Sequence, residues 1–116
     1  MSDRELLELA AKAIGIQIEC IEDEDGLGCA RKTGGEPAWV AWNPLSDDGD
    51  ALRLAVKLQI DIQQFLQYRG RVDCLVDRLG KGFGEKVSGD PYAATRRAIT
   101  RAAAEIGARI TTEDGK

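Results

Sequence analysis

The chain has 116 residues and no histidine, so the side chain that most often serves as general base or metal ligand near neutral pH is absent from any chemistry it performs. Ser46, Ser88, Thr95 and Thr100 therefore have no imidazole to activate their hydroxyls. Cys20, Cys29 and Cys74 are an odd number with no C-x-x-C pair, the spacing of a zinc or dithiol redox site. They read as reduced thiols, and Cys29 or Cys74 would act as a nucleophile only beside a cation. Asp73 and Asp77 are paired carboxylates at opposite ends of a short strand, with no sign of a cleft between them. These residues predict no enzyme, no cofactor and no metal.

Three further segments invite a binding reading. Gly80-Lys81-Gly82-Phe83-Gly84 has the glycines and lysine of a phosphate loop, but no G-K-S/T pair, and the next helix waits for Asp90. It reads as a flexible loop. The acidic runs Glu22 to Asp25 and Asp47 to Asp50 offer oxygen ligands to a hard cation. Calcium-loop spacing fails at both, because aligning Gly26 places Ile21 first and Lys32 last, and aligning Gly49 places Pro44 first. The first run reads as a solvated turn, and Asp47 and Asp48 as helix caps. Trp39 and Trp42, three apart on a strand, would point to opposite faces. Packing of both beneath the middle and final helices is favoured over one standing exposed as a binding surface. Arg69, Arg71 and Arg78, with Arg96, Arg97 and Arg101, are the candidates for a basic patch facing nucleic acid or an acidic partner.

The elements that must position these residues follow from pattern. Ser2 and Glu5 form a capping box, Leu6 to Ile14 carries helical periodicity, and Gly15 stands at the C-cap. Ile16 to Glu22 alternates as a strand with Ile16, Ile18 and Cys20 inward, followed by the acidic loop and a poorer strand at Leu27 to Ala30. Ala38 to Trp42 is a third strand, ended by Asn43-Pro44. A short helix follows, with Ala51, Leu52, Ala55, Val56 and Leu58 as its apolar positions. Ile60 to Leu66 and Val72 to Val76 form a hairpin turned by Tyr68 to Arg71, and the glycine-rich stretch from Asp77 to Gly89 reads as a mobile loop or a frayed edge strand around Phe83. Asp90-Pro91 opens a final helix with an Ala94, Ala98, Ile99, Ala102, Ala103, Ile106 stripe, ended by Gly107. The expected fold is α+β: a mostly antiparallel sheet of about four to five strands with three helices packed on it. Residues 1–107 form the domain and residues 108–116 a flexible tail.

Trp42-Asn43-Pro44, Asp47-Asp48, Ala51-Leu52, Asp90-Pro91, Arg96-Arg97-Ala98-Ile99 and Ala102-Ala103 through Gly107 resemble small bacteriophage and prophage proteins. The arrangement over roughly residues 38 to 107 is similar to the phage alpha-beta-alpha sandwich domain family. The resemblance implies a phage origin and brings no catalytic residues with it.

Charge narrows the function classes. Residues 1–50 carry 12 acidic and 4 basic side chains, and residues 51–116 carry 8 acidic and 12 basic, within a net charge of -4. Self-neutralisation within the fold or across a homodimer interface is favoured over an anionic partner. Hydrophobic residues at 43% are too many for a disordered chain of this charge, and no apolar stretch approaches a membrane span. The expectation is a cytoplasmic accessory protein of a bacterial host, binding a host or phage protein, in its sharpest form as an inhibitor that mimics nucleic-acid charge. The alternative is a nucleic-acid-binding domain using the basic half, and Trp39, Trp42, Arg69, Arg71, Arg97 and Arg101 are the candidate binding residues.

Overall fold

The computed structural model describes residues 1–65 and 69–114. Tyr68 in the expected hairpin turn, the side chain of Arg78 and the last two residues of the expected tail lie outside the described residues.

Helix α1 (Asp3–Ile14) starts on the capping box: Ser2 Oγ accepts from Glu5 N at 3.1 Å, and Ser2 N donates to Glu5 Oε1 at 3.4 Å. Gly15, at φ 73°, closes it in the left-handed conformation. Strands β1 (Ile18–Asp23), β2 (Gly26–Lys32) and β3 (Trp39–Ala41) form an antiparallel meander in the order β1-β2-β3. The acidic run is the tip of its first hairpin: Asp23 pairs with Gly26 across Glu24 and Asp25, and Asp25 N donates to Asp23 Oδ1 at 2.9 Å.

Trp42-Asn43-Pro44 links this sheet to helix α2 (Asp48–Leu58) through a local network. Asn43 Oδ1 accepts from Leu45 N, Asn43 N donates to Asp50 Oδ2 at 3.0 Å, and Asp47 caps α2 by accepting from Asp50 N at 2.8 Å. Trp42 and Pro44 are buried beneath that network. Trp42, Asn43, Pro44 and Asp47 thus build the turn into α2.

A second antiparallel meander follows, β4 (Asp61–Phe65), β5 (Arg71–Val76) and β6 (Lys81–Lys86), with a single 3-10 turn (Asp77–Leu79) before β6. Helix α3 (Pro91–Asp114) closes the chain. The core draws on every layer: Leu7 and Ala10 from α1, Leu54 and Leu58 from α2, Val72, Cys74 and Val76 from β5, and Ala98, Ala102 and Ala103 from α3. Sheet β4-β5-β6 lies against α3, and Ile18, Cys20, Leu27 and Cys29 turn the inner face of the other sheet to the same core.

The α+β class is as expected, but the sheet is not a single one of four to five strands. Each strand pairs only with its chain neighbour, giving two three-stranded sheets with α2 between them in the chain. The glycine-rich stretch is ordered as edge strand β6, with Gly82 opposite Leu75 and Gly84 opposite Asp73. Helix α2 buries Ala51, Leu54, Ala55 and Leu58, the i, i+3, i+4, i+7 stripe, so Leu52 and Val56 sit about 100° round the helix and are exposed.

Gly107 does not end α3, which continues to Asp114 through much of the expected tail. A Cβ at Gly107 would lie 1.9 Å from the backbone oxygen of Leu9, so the glycine sits where α3 packs directly on the backbone of α1. Cys20 and Cys29 are not free thiols. The hairpin register sets them directly opposite, with Cα atoms 4.1 Å apart, and they form a disulfide.

Candidate functional site

Antiparallel pairing fixes which residues share a face of the β1-β2-β3 sheet. Ile18, Cys20, Leu27, Cys29 and Val40 fall on the core side, and Glu19, Ile21, Asp23, Gly28, Ala30, Ala41 and Trp39 fall together on the other. No helix among the described residues covers this outer face. It holds an open groove of about 620 Å³ whose floor is made by Gly28, Ala30 and Ala41, with Trp39 on one wall and Ile21 on the other. Trp39 is half-buried and does not pack against the core, whereas Trp42 is 3% exposed within it. The two tryptophans therefore part company across the end of β3, and the expectation that both pack beneath the helices fails for Trp39.

Ile21 is the residue that pattern reading passed over. It breaks the alternation of β1 by putting an isoleucine, 71% exposed, between Glu19 and Asp23 on the face otherwise given to polar side chains. Gly28, opposite it in β2, adds no side chain, and nothing lies within 4 Å of where its Cβ would be. The result is an apolar trough with a carboxylate rim.

Among the described residues, the rim carboxylates Glu19, Asp23 and Asp25, like Glu22 and Glu24 of the same hairpin, make no ion pair. The candidate basic patch behaves in the opposite way, because Arg69, Arg71, Arg96, Arg97 and Arg101 are each engaged within the chain. Arg97 Nη2 reaches Asp3 of α1 at 3.1 Å. Arg96 donates to Asp48 at 2.7 Å and to the Leu45 carbonyl at 2.9 Å, tying α3 to the start of α2. Arg101 holds Glu85 and the Gly84 carbonyl of β6. Arg71 grips Asp73 Oδ1 through two nitrogens at 2.9 and 2.7 Å, and Arg69 lies over the Phe65 ring at 5.6 Å. Lys81 of the glycine-rich stretch donates to Glu105 at 2.8 Å; that hydrogen bond, then the charges of Lys81 and Arg109, hold the Glu105 carboxyl below the usual glutamate range against the opposing effect of burial.

Cys74, the remaining thiol, is buried in β5. Burial, then the neighbouring charges of Asp73 and Asp61, pushes its pKa up to about 12, the reverse of what activates a thiolate. No group of three histidine, cysteine or acidic side chains among the described residues could hold a metal ion. No described helix is long and apolar enough to cross a membrane.

Comparison with known proteins finds no matching family model, no matching curated protein and no matching solved structure.

Proposed function

We propose that this chain is a protein-binding accessory module that docks a cationic, partly apolar segment of another protein on the outer face of its β1-β2-β3 sheet. The observation that carries this reading is the trough between Ile21 and Trp39 with its unpaired rim of Glu19, Asp23 and Asp25. A half-buried tryptophan on one wall of a shallow trough supplies apolar contact area, and the carboxylates supply orientation and attraction over a Debye length. With the phage setting that the short motifs imply, the class of partner is a host or phage protein whose own surface is built to meet nucleic-acid phosphates. A strip of carboxylates on a rigid hairpin offers such a surface the charge it expects. Nucleic acid itself is the weaker reading, because the arginines that would meet phosphate are already held by Asp3, Asp48, Asp73 and Glu85. A cytoplasmic setting belongs to the same proposal, and the Cys20–Cys29 disulfide weighs against it, since such bonds persist mainly in oxidising compartments.

The experiment is capture of partners by the tagged full chain from nuclease-treated host lysate, comparing wild type with Gly28→Val and Trp39→Ala and confirming the fold by circular dichroism. Gly28→Val fills the trough from a strand position with open space above it and suits a strand better than glycine. A stoichiometric partner should be captured by wild type and lost by both variants, with affinity falling as salt rises. Capture insensitive to both variants, or nuclease-sensitive capture abolished by Arg97→Glu with Arg101→Glu, would overturn the reading.

A further inference from the structure

We propose that the chain self-associates head to tail, the acidic hairpin tip of one copy seating Ile21 in an apolar groove between α1 and α2 of a second copy. The groove is a separate feature from the outer sheet face. It encloses about 500 Å³ and is lined by Ile14, Ile16, Leu52 and Val56, with Arg53 and Lys57 at its margin. Leu52 is 59% and Val56 69% exposed, two aliphatic side chains one turn apart on a helix face that no element among the described residues covers. Two exposed aliphatic residues one turn apart with a polar margin form a small contiguous patch rather than singly scattered side chains.

Charge decides the occupant. The side chain of Arg53 is 73% exposed even while it pairs with Asp50, and Lys57 has no ion-pair partner among the described residues. The groove therefore fits an apolar knob flanked by carboxylates. The hairpin tip of this same chain is such a knob: Ile21 stands exposed beside Glu22, Asp23, Glu24 and Asp25. Ile21 stays exposed within its own chain, so the tip that fills the groove comes from another copy. A symmetric pairing of groove with groove would bring Arg53 and Lys57 against their counterparts, and tip against tip would bring the carboxylates together. Only the head-to-tail arrangement matches both signs, and such a contact continues from copy to copy unless it closes into a ring. Because it covers Ile21, it also competes with partner docking on the outer sheet face.

Sedimentation velocity of the full chain from low to high micromolar concentration tests this, using Val56→Asp to disable the groove and Ile21→Asp to disable the knob. Both positions are exposed, so both variants keep the fold. Wild type should sediment faster as concentration rises and lose that behaviour at high salt. Each variant alone should associate at least about tenfold more weakly, because it sets an unpaired carboxylate against apolar surface. An equimolar mixture of the two should form a 1:1 heterodimer that does not grow, since one intact groove and one intact knob remain. A monomeric wild type across the whole range, or a mixture that stays monomeric, overturns the proposal. Val56 lies off the outer sheet face, so unimpaired partner capture by Val56→Asp separates failure of this inference from failure of the docking reading.

Discussion

Replacing Gly107 with alanine separates a helix cap from a helix crossing by the sign of the stability change. In a helix interior with room for a methyl group, Gly→Ala raises stability by about 1 kcal/mol through helix propensity. Gly107 has no such room, because a Cβ would stand 1.9 Å from the Leu9 oxygen and 2.8 Å from its carbonyl carbon, where ordinary contact begins at 3.4 Å. The obstacle is backbone, which cannot rotate away as a side chain would. Helix α1 must therefore move by about 1.5 Å, which is 3.4 less 1.9. That movement loosens the packing of Leu6, Leu7, Ala10 and Ala11, all buried on the α1 face, and gaps of 0.5–1 Å already forfeit roughly a quarter to a half of a contact's dispersion energy. Overpacking of this kind costs about 1–3 kcal/mol, and the loosened face brings the expected net loss to about 2–4 kcal/mol after the propensity gain. For a domain of this size that is a fall in Tm of roughly 8–16 °C. Differential scanning calorimetry reads it, with Gly35→Ala, which has open space and an ordinary φ, as a control expected within about 0.5 kcal/mol. Gly107→Asn sharpens the contrast, since asparagine tolerates the left-handed cap conformation but is bulkier than alanine. An unchanged or raised Tm for Gly107→Ala, or a milder effect for Gly107→Asn, would refute the crossing.

Two further outcomes follow from burial. Leu54→Ala, at a side chain with 0% exposure, should cost about 2–5 kcal/mol in chemical denaturation, whereas Leu52→Ala should stay near 0.5 kcal/mol while weakening self-association. The Cys74 thiol, held at a pKa of about 12, should react with a disulfide reagent at pH 8 at least about a thousandfold more slowly than an ordinary cysteine, and one thiol per chain should titrate in denaturant before reduction and three after. A native thiol of ordinary reactivity would show that β5 does not bury it.

How much of this was legible depended on whether the signal was local. The α1 start at Ser2 and Glu5, its end at Gly15, the Asp47 cap and the Asp90-Pro91 start of α3 are all written within a few residues, and the structure keeps them. The α2 face was not legible, because Ala51, Leu52, Ala55, Val56 and Leu58 satisfy two overlapping helical stripes, and only tertiary packing on α3 chooses the one containing Leu54. Gly107 looked like a cap because a glycine after an apolar stripe usually is one; its role depends on Leu9, nearly a hundred residues earlier in the chain. The disulfide was hidden by the assumption of a long acidic loop. Once the turn is only Glu24 and Asp25, the register carries Cys20 to Cys29 with no further choice. The outer-face trough was hidden for the same reason, since Gly28 and Ala30 face Ile21 and Glu19 only in that register.

The charge asymmetry inverts when counts are replaced by partners. The C-terminal half is formally basic, yet Arg71, Lys81, Arg96, Arg97 and Arg101 each sit within hydrogen-bonding distance of a carboxylate, while the hairpin acids have no such neighbour among the described residues. Individually these surface pairs contribute only about 0–1 kcal/mol to stability. Their larger effect is on availability. A phosphate approaching Arg97 or Arg101 must displace Asp3 or Glu85 and leave that carboxylate beside the incoming anion, so the exchange gains little and adds repulsion. A cation approaching Glu22 or Glu24 has no charged partner among the described residues to displace. The chain thus presents an anionic hairpin and holds Arg71, Arg96, Arg97 and Arg101 in internal pairs, which is why a cationic protein surface, from another protein or from the α1–α2 groove of a second copy, suits this molecule better than a nucleic acid does.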